Sequence, residues 1–195
     1  AAPATSLFVT KPTAAVRHKG GKVLHEKSEA YRILTRWIQH GAPGPSDNDP
    51  TIKKFEISPP LSQLKKGQAQ QLTARVLFSD GTKRDVTQWA RFASTDATVA
   101  EVNESTGLAK VIGYGDGAIT AWYSGQIALA RIRSPWPNVI PNDTYNKAPR
   151  RNVIDDAVLN LLRRLNLKPS PRSSDSEFIR RVHLDVVGML PTPES

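Results

Sequence analysis

The hydrophobic positions change period twice along the chain. In the first stretch Tyr31, Leu34 and Ile38 recur at three and four residues, and Ile33 and Trp37 broaden the stripe. That is the spacing of an amphipathic helix. Ser28 suits its N-cap and Glu29 its first turn. His40 lies in the last turn, Gly41 is placed to cap the C-terminus, and Pro43 blocks continuation. The residues before Ser28 read as a basic loop, and GAPGPSDNDP (41–50) has the composition of a linker. A lone helix of about 12 residues is marginal in water, so this stripe requires a packing partner, expected upstream of the chain.

From residue 51 the period falls to two. Phe55 and Ile57 alternate, and QLTARVLF (71–78) places Leu72, Ala74, Val76 and Phe78 on one face. Asp80-Gly81 signals a tight turn. Short strands follow at 89–94, 99–102 and 108–112. AITAWY (118–123) and IALARIR (127–133) flank Ser124-Gly125-Gln126 as a hairpin. About seven short strands in about 80 residues predict an antiparallel β-sandwich. Trp89, Phe92, Trp122 and Tyr123 are the aromatic candidates for its core.

After residue 134 the pattern changes again. Pro135, Pro137, Pro141 and Pro149 mark an extended linker. Asn152 caps a helix running to about Asn166, with Ile154, Val158, Leu161, Leu162 and Leu165 on one face. Ser174 and Glu177 form a capping box before a second helix carrying Phe178, Ile179, Val182 and Val186. Thr192-Pro193-Glu194 reads as a third helix start at the end of the sequence, which predicts a fragment of a longer protein. The expected organisation is a helical tail at 1–46, a linker at 47–51, the sandwich at 52–134, a Pro-rich linker at 135–150 and the start of a helical domain at 151–195. The fold class is mainly β, with partial α-helical segments on either side.

Composition narrows the function classes. Of 195 residues, 38% are hydrophobic and 23% charged, which fits neither a disordered tail nor a membrane bundle. No apolar run approaches the roughly 20 residues of a spanning helix. The chain has no cysteine, so it carries no disulfide, no thiolate metal site, no cysteine nucleophile and no covalent haem attachment. The net charge of +9 divides as +3 over 1–50, +4 over 51–134 and +2 over 135–195, and no Lys/Arg run exceeds two residues. So even a distribution disfavours nucleic acid, and a diffuse positive field toward anionic envelope polysaccharide fits better.

Several motifs carry resemblances. Ser79-Asp80-Gly81-Thr82, Asp85-Val86-Thr87, the run at 94–100 and Gly117-Ala118-Ile119-Thr120 resemble a bacterial Ig-like domain of group 2, the invasin/intimin-related type. Asn152, Ile154-Asp155, Pro169-Ser170, Phe178, Arg180-Arg181, Leu184-Asp185, Gly188 and Leu190-Pro191-Thr192 resemble the start of a planctomycete cytochrome-associated domain of unknown function. Residues 11–45, through Tyr31, Trp37-Ile38 and Gly41, are similar to the tail of a planctomycete cytochrome c-like domain. That last resemblance implies haem c in the parent protein only. It makes His18, beside Lys19-Gly20-Gly21, a candidate axial ligand there, with the solvated loop histidine as the plainer account.

Other candidate chemistry is thin. Four scattered histidines lack zinc-ligand spacing. Asp155-Asp156 at a helix start is expected from the dipole, and His183 and Asp185 point apart on a helix. Arg180, Arg181 and Asp185 are expected to form a buried Arg–Asp pair. Asp80, Asp85, Asp96 and Asp116 are expected in sandwich turns, where calcium bridging is the alternative to plain turn formation. The expectation is a fragment of a secreted or periplasmic multidomain protein, located in the periplasm, outside the cell or at its surface. Its sandwich acts as a spacer or as an adhesive or carbohydrate-binding module. Its partners are other domains of the parent chain and either envelope polysaccharide or a surface protein. A redox-linked enzyme acting on an extracellular polymer is the alternative, with no catalytic residue identified in this stretch.

Overall fold

The structure, a computed structural model, describes residues 2–192. The helix start read at Thr192-Pro193-Glu194 falls largely outside them. Residues 1–50 and 51–195 form two compact units.

The first unit holds a 3-10 turn at Pro3–Thr5, α1 (Leu7–Thr10) and α2 (Glu29–Gln39). Ser28 caps α2, its Oγ accepting from the Tyr31 N–H at 3.2 Å. Gly41, at φ +85°, turns the chain out of the helix in the left-handed conformation that a side chain resists. The partner for the α2 stripe is found in part within the segment whose composition reads as a loop. Val9 of α1 and Ile38 of α2 are buried, and Phe8 meets Trp37 edge to face with centroids 6.4 Å apart. Four residues are too few to show a helical period, so α1 leaves no signal in the sequence.

Among the described residues the second unit is built on ten strands. They are β1 (Ile52–Ser58), β2 (Leu61–Gln63), β3 (Ala69–Gln71), β4 (Thr73–Phe78), β5 (Lys83–Asp85), β6 (Arg91–Ser94), β7 (Ala100–Val102), β8 (Leu108–Val111), β9 (Gly115–Tyr123) and β10 (Gln126–Ser134). They pair as β1-β4-β5, β2-β10-β9-β6 and β3-β8-β7. Every pairing is antiparallel except β2 with β10, where Leu61 lies beside Arg131. The strands beyond the expected seven include β2, β3 and β5, each of three residues, too short to show alternation. The sheets enclose one core in which Leu72, Val76, Phe92, Val111, Ile119 and Ile132 are buried. Ser124 and Gly125, at φ +46° and +76°, close the β9–β10 hairpin with the twist that adjoining strands favour.

Two aromatic expectations are corrected. Phe92 is 2% exposed, but Trp122 and Trp89 are 42% and 40% exposed. Along β9 the buried positions are Gly115, Gly117, Ile119 and Ala121, so the pleat sends Trp122 outward. Trp89 closes a 3-10 turn at Thr87–Trp89 rather than standing in a strand. Gly113 serves a close approach, since a Cβ there would lie 2.1 Å from the Thr98 carbonyl oxygen.

The segment after β10 is less extended than its prolines suggest. It contains α3 (Asn142–Asn146), followed by α4 (Val153–Leu165), α5 (Asp175–Val182) and a π-helical turn at His183–Val187. Asn152 and Asp155 form a reciprocal capping box on α4, as Ser174 and Glu177 do on α5. The α4 stripe holds in part. Leu165 is buried and Leu162 half-buried as expected and Leu159 is buried as well, whereas Ile154, Val158 and Leu161 face solvent. Tyr145 of α3 is buried at the same corner, with the Arg163 guanidinium 5.2 Å over its ring. Arg150 clasps the α3–α4 corner, donating to the Tyr145 carbonyl at 2.9 Å and to Asp156 at 2.8 Å. Val186 stands in the π-helical turn and is exposed.

The C-terminus of α4 is tied to the chain leaving the sandwich. The Trp136 N–H donates to the Leu165 carbonyl at 3.0 Å. Asn166 Nδ2 donates to the Trp136 carbonyl at 2.9 Å, and Asn138 Nδ2 donates to the Asn166 carbonyl at 3.2 Å. Asn166 occupies the left-handed position at φ +56°, a conformation asparagine tolerates better than most residues.

Candidate functional site

The turn acids are occupied by the fold. Asp80 Oδ1 accepts from the Thr82 N–H at 2.9 Å and its hydroxyl at 2.7 Å. Asp96 does the same for Thr98, at 2.9 and 2.6 Å, and Asp85 accepts from the Thr87 N–H at 2.9 Å. Hydrogen bonds from these threonine side chains, then from their backbone N–H groups, hold Asp80 and Asp96 below the usual carboxylate range. Thr87 depresses Asp85 likewise, against the opposing effect of burial. Each of these Asx-type turns engages one carboxylate oxygen with the threonine two residues on, which is the reason aspartate suits the position. Among the described residues no group of three or more His, Asp or Glu side chains is arranged to hold a metal ion.

Asp116 is not in a turn. It sits on β9 directly opposite Arg133 of β10. The Arg133 fork donates to its Oδ2 from Nε at 3.1 Å and from Nη2 at 2.7 Å, and Arg131 approaches the same oxygen at 3.5 Å. The two side chains are 11% and 6% exposed, so this is a buried ion pair within the sheet. Its signal in the sequence was the cross-strand register, which follows only once the hairpin is placed.

The remaining candidates are not brought together. His18 is half-buried in its loop, with Nδ1 3.3 Å from the Val16 carbonyl oxygen. A Cβ on Gly20 would come within 2.9 Å of its Nε2, so the glycine makes room for the ring. Asp155 serves the α4 capping box, and backbone N–H groups of Arg151 and Asn152 hold it below the usual range. Asp156 pairs with Arg150. His183 Nδ1 lies 3.0 Å from the Ile179 carbonyl of its own helix. Arg180, Arg181 and Asp185 are exposed, and no ion pair among them forms. The expected buried Arg–Asp pair is therefore corrected: the short α5 and its π-helical turn leave these side chains facing solvent.

What the sandwich does present is an open sheet face. On the outer side of β10 and β9, Ile127 lies beside Trp122 and Leu129 beside Thr120. Ile127, Leu129 and Trp122 are all exposed, and Leu61 of β2 extends the row. At its edge Arg91 of β6 pairs with Glu104 at 2.8 Å. The face is apolar in the middle and charged at the rim.

Residues 51–124 match the family model of the bacterial Ig-like domain (group 2). The match ends at the hairpin, whereas β10 runs on to Ser134 and lies between β9 and β2, so the folded Ig-like domain is longer than the matched stretch. Residues 153–195 match the model of a protein of unknown function (DUF1549). Ice-binding protein 1 of Shewanella frigidimarina (strain NCIMB 400) is 40% identical over 70 residues, which is 36% of this chain and 8% of that protein. Among solved structures, domains 5–6 of the S-layer protein SbsC align over 47% of this chain and 48% of that one, with 16% identity and a TM-score of 0.39. The C-terminal 282-residue fragment of intimin, in complex with the intimin-binding domain of its translocated receptor, aligns over 48% of this chain and 36% of that one, at 19% identity and a TM-score of 0.33. Among the described residues no helix is long and apolar enough to cross a membrane.

Proposed function

We propose that this chain is part of a surface or secreted multidomain protein, in which the Ig-like domain acts as a spacer with an adhesive outer face. The observation that carries this reading is the group 2 Ig-like match on a sandwich whose turn acids serve the fold while Trp122, Ile127 and Leu129 stay open to contact. The partner class is a surface protein or envelope polysaccharide. Protease treatment of intact cells tests the location. The reading expects the parent protein to be cut in whole cells or released with the envelope fraction. Full protection in whole cells together with recovery in the cytosolic fraction would overturn it. Adhesion is tested by retention of the 195-residue chain on isolated envelopes, which Trp122→Ser and Ile127→Ser should weaken.

A further inference from the structure

The junction between the Ig-like domain and α4 contains a groove of about 700 Å³ that nothing above uses. Tyr114 and Trp136 form one wall, their rings 5.9 Å apart and tilted by 32°. The ammonium of Lys66 stands 5.8 Å from the Tyr114 ring centre. Lys65, Gln63, Gln68, Asn138 and Asn166 complete the polar lining, and no carboxylate takes part. Neither lysine holds an ion pair among the described residues, and the Gln63 amide has no hydrogen-bond partner there, whereas Gln68 Oε1 accepts from the Lys65 N–H and the Asn138 and Asn166 amides donate to backbone carbonyls. The other grooves described on the sandwich differ. Arg91 shares its groove with Glu101 and Glu104, and Lys54 and Lys83 share theirs with Glu56 and Asp85. Arg75 also lines a groove with Glu56.

We infer that this groove binds an acidic polysaccharide, with sugar rings against the Tyr114–Trp136 wall and their carboxylate or sulfate groups at Lys65 and Lys66. The inference rests on the proposed surface role and gives it a ligand class and a site. Concave sites pair apolar walls with a few polar groups that fix orientation, and this one offers aromatic faces, the free Gln63 amide and two lysines without ion pairs. The C–H face of a pyranose is apolar enough to lie on an aromatic ring, while its hydroxyls need amide partners. Two cations without a neighbouring anion select a negatively charged chain over a neutral one. The rings lean on each other instead of standing apart, so they form a continuous wall rather than separate slots for unstacked bases. The groove also owes its shape to the Trp136–Leu165 and Asn166–Trp136 hydrogen bonds, which hold the wall in place before any ligand arrives.

Affinity electrophoresis and calorimetric titration of the 195-residue chain test the site, with polygalacturonate, dextran sulfate, neutral dextran and oligodeoxythymidylate as probes. Binding is expected for polygalacturonate or dextran sulfate, and the stronger of the two identifies the anion. Neutral dextran should not bind. Lys65→Gln with Lys66→Gln should weaken binding about tenfold, and Gln63→Ala severalfold. Both lysines and Gln63 are exposed, so folding is checked simply by unchanged circular dichroism. Lys53→Gln with Lys83→Gln removes the same charge elsewhere and should leave binding unchanged. Equal losses from both double variants, binding to neither acidic glycan, or tighter binding to oligodeoxythymidylate would each overturn the inference. A parent protein exposed on cells whose chain binds no acidic glycan would sink the groove alone. A parent confined to the cytosol would sink the surface role, whatever the glycan result.

Discussion

Phe92 and Trp122 are both aromatic residues of the same four-stranded sheet, and the pleat gives them opposite environments. Phe92 fills the core between the sheets, whereas Trp122 keeps 42% of its surface in water. Truncation should therefore cost very different amounts. Phe92→Ala is expected to lose about 3–5 kcal/mol, the range for large buried rings, and Trp122→Ala about 1 kcal/mol or less. Urea unfolding of the two variants measures the gap, and equal losses would contradict the assigned faces. The turn acids make a second residue-scale prediction. Asp80, Asp85 and Asp96 each have a folded pKa below the ordinary value because a threonine donates to the carboxylate. Their stabilisation is then present above the unfolded carboxylate pKa of about 4 and lost as pH falls through the lower folded values. The urea midpoint should hold steady from about pH 7 to pH 5 and drop below about pH 4. Replacing all three by Asn keeps the turn acceptor and removes the charge, so the acid drop should shrink. An unchanged acid profile in that variant would place the effect elsewhere.

At the scale of elements, the β9–β10 hairpin carries the one buried ion pair among the described residues. Asp116 and Arg133 face each other across the ladder, and the strand register alone brings them together. The two truncations are not equivalent. Asp116→Ala leaves the Arg133 guanidinium buried without an anion, which should cost about 3–5 kcal/mol. Arg133→Met leaves Asp116 with Arg131 still near, at 3.5 Å, and a side chain of similar reach packed in the sheet, so about 1–3 kcal/mol is expected. Chemical denaturation of both variants checks the order, and a larger loss from Arg133→Met would show that Arg131 cannot substitute. The helices show the same dependence on partners. The capping boxes of α4 and α5 are local and read directly from Asn152 and from Ser174 with Glu177. The face that α4 buries is not local, because the same helical pattern leaves Ile154 and Val158 exposed while Leu159 and Leu165 are buried.

For the whole molecule, the two units meet in the chain at Pro50, next to a stretch rich in Gly, Pro, Ser and Asp. An Asp-specific protease acting before Asp47 or Asp49 should release a C-terminal product with the strand signal of the intact chain. Circular dichroism and thermal melting of that product provide the check. A product that melts much earlier than the intact chain would mean that the first unit supports the second. The parts after Ser134 belong with the Ig-like domain in the second unit. The Trp136–Leu165–Asn166 ties account for this, since they replace a free linker with a hydrogen-bonded corner.

Short-range physics put several features within reach of the sequence. Ser28, Asn152 and Ser174 announce their helices because capping involves neighbours only three residues away. Leu72, Ala74 and Val76 announce a half-buried strand because the pleat alternates every residue. Ser124-Gly125 announces the hairpin through its backbone requirement. The Ig-like motif at 79–120 is visible for the same reason, being largely a set of turns. Tertiary structure decided everything that depends on which surfaces meet. It turned Trp122 outward, paired Asp116 with Arg133, added strands too short to show a period, and buried Leu159 of α4 while leaving Ile154 and Val158 exposed. It also joined Tyr114 to Trp136, residues on either side of the β9–β10 hairpin, and set Lys66 beside them. Such contacts have no period and no fixed spacing. They arise from packing between distant segments, where burial outweighs local preference.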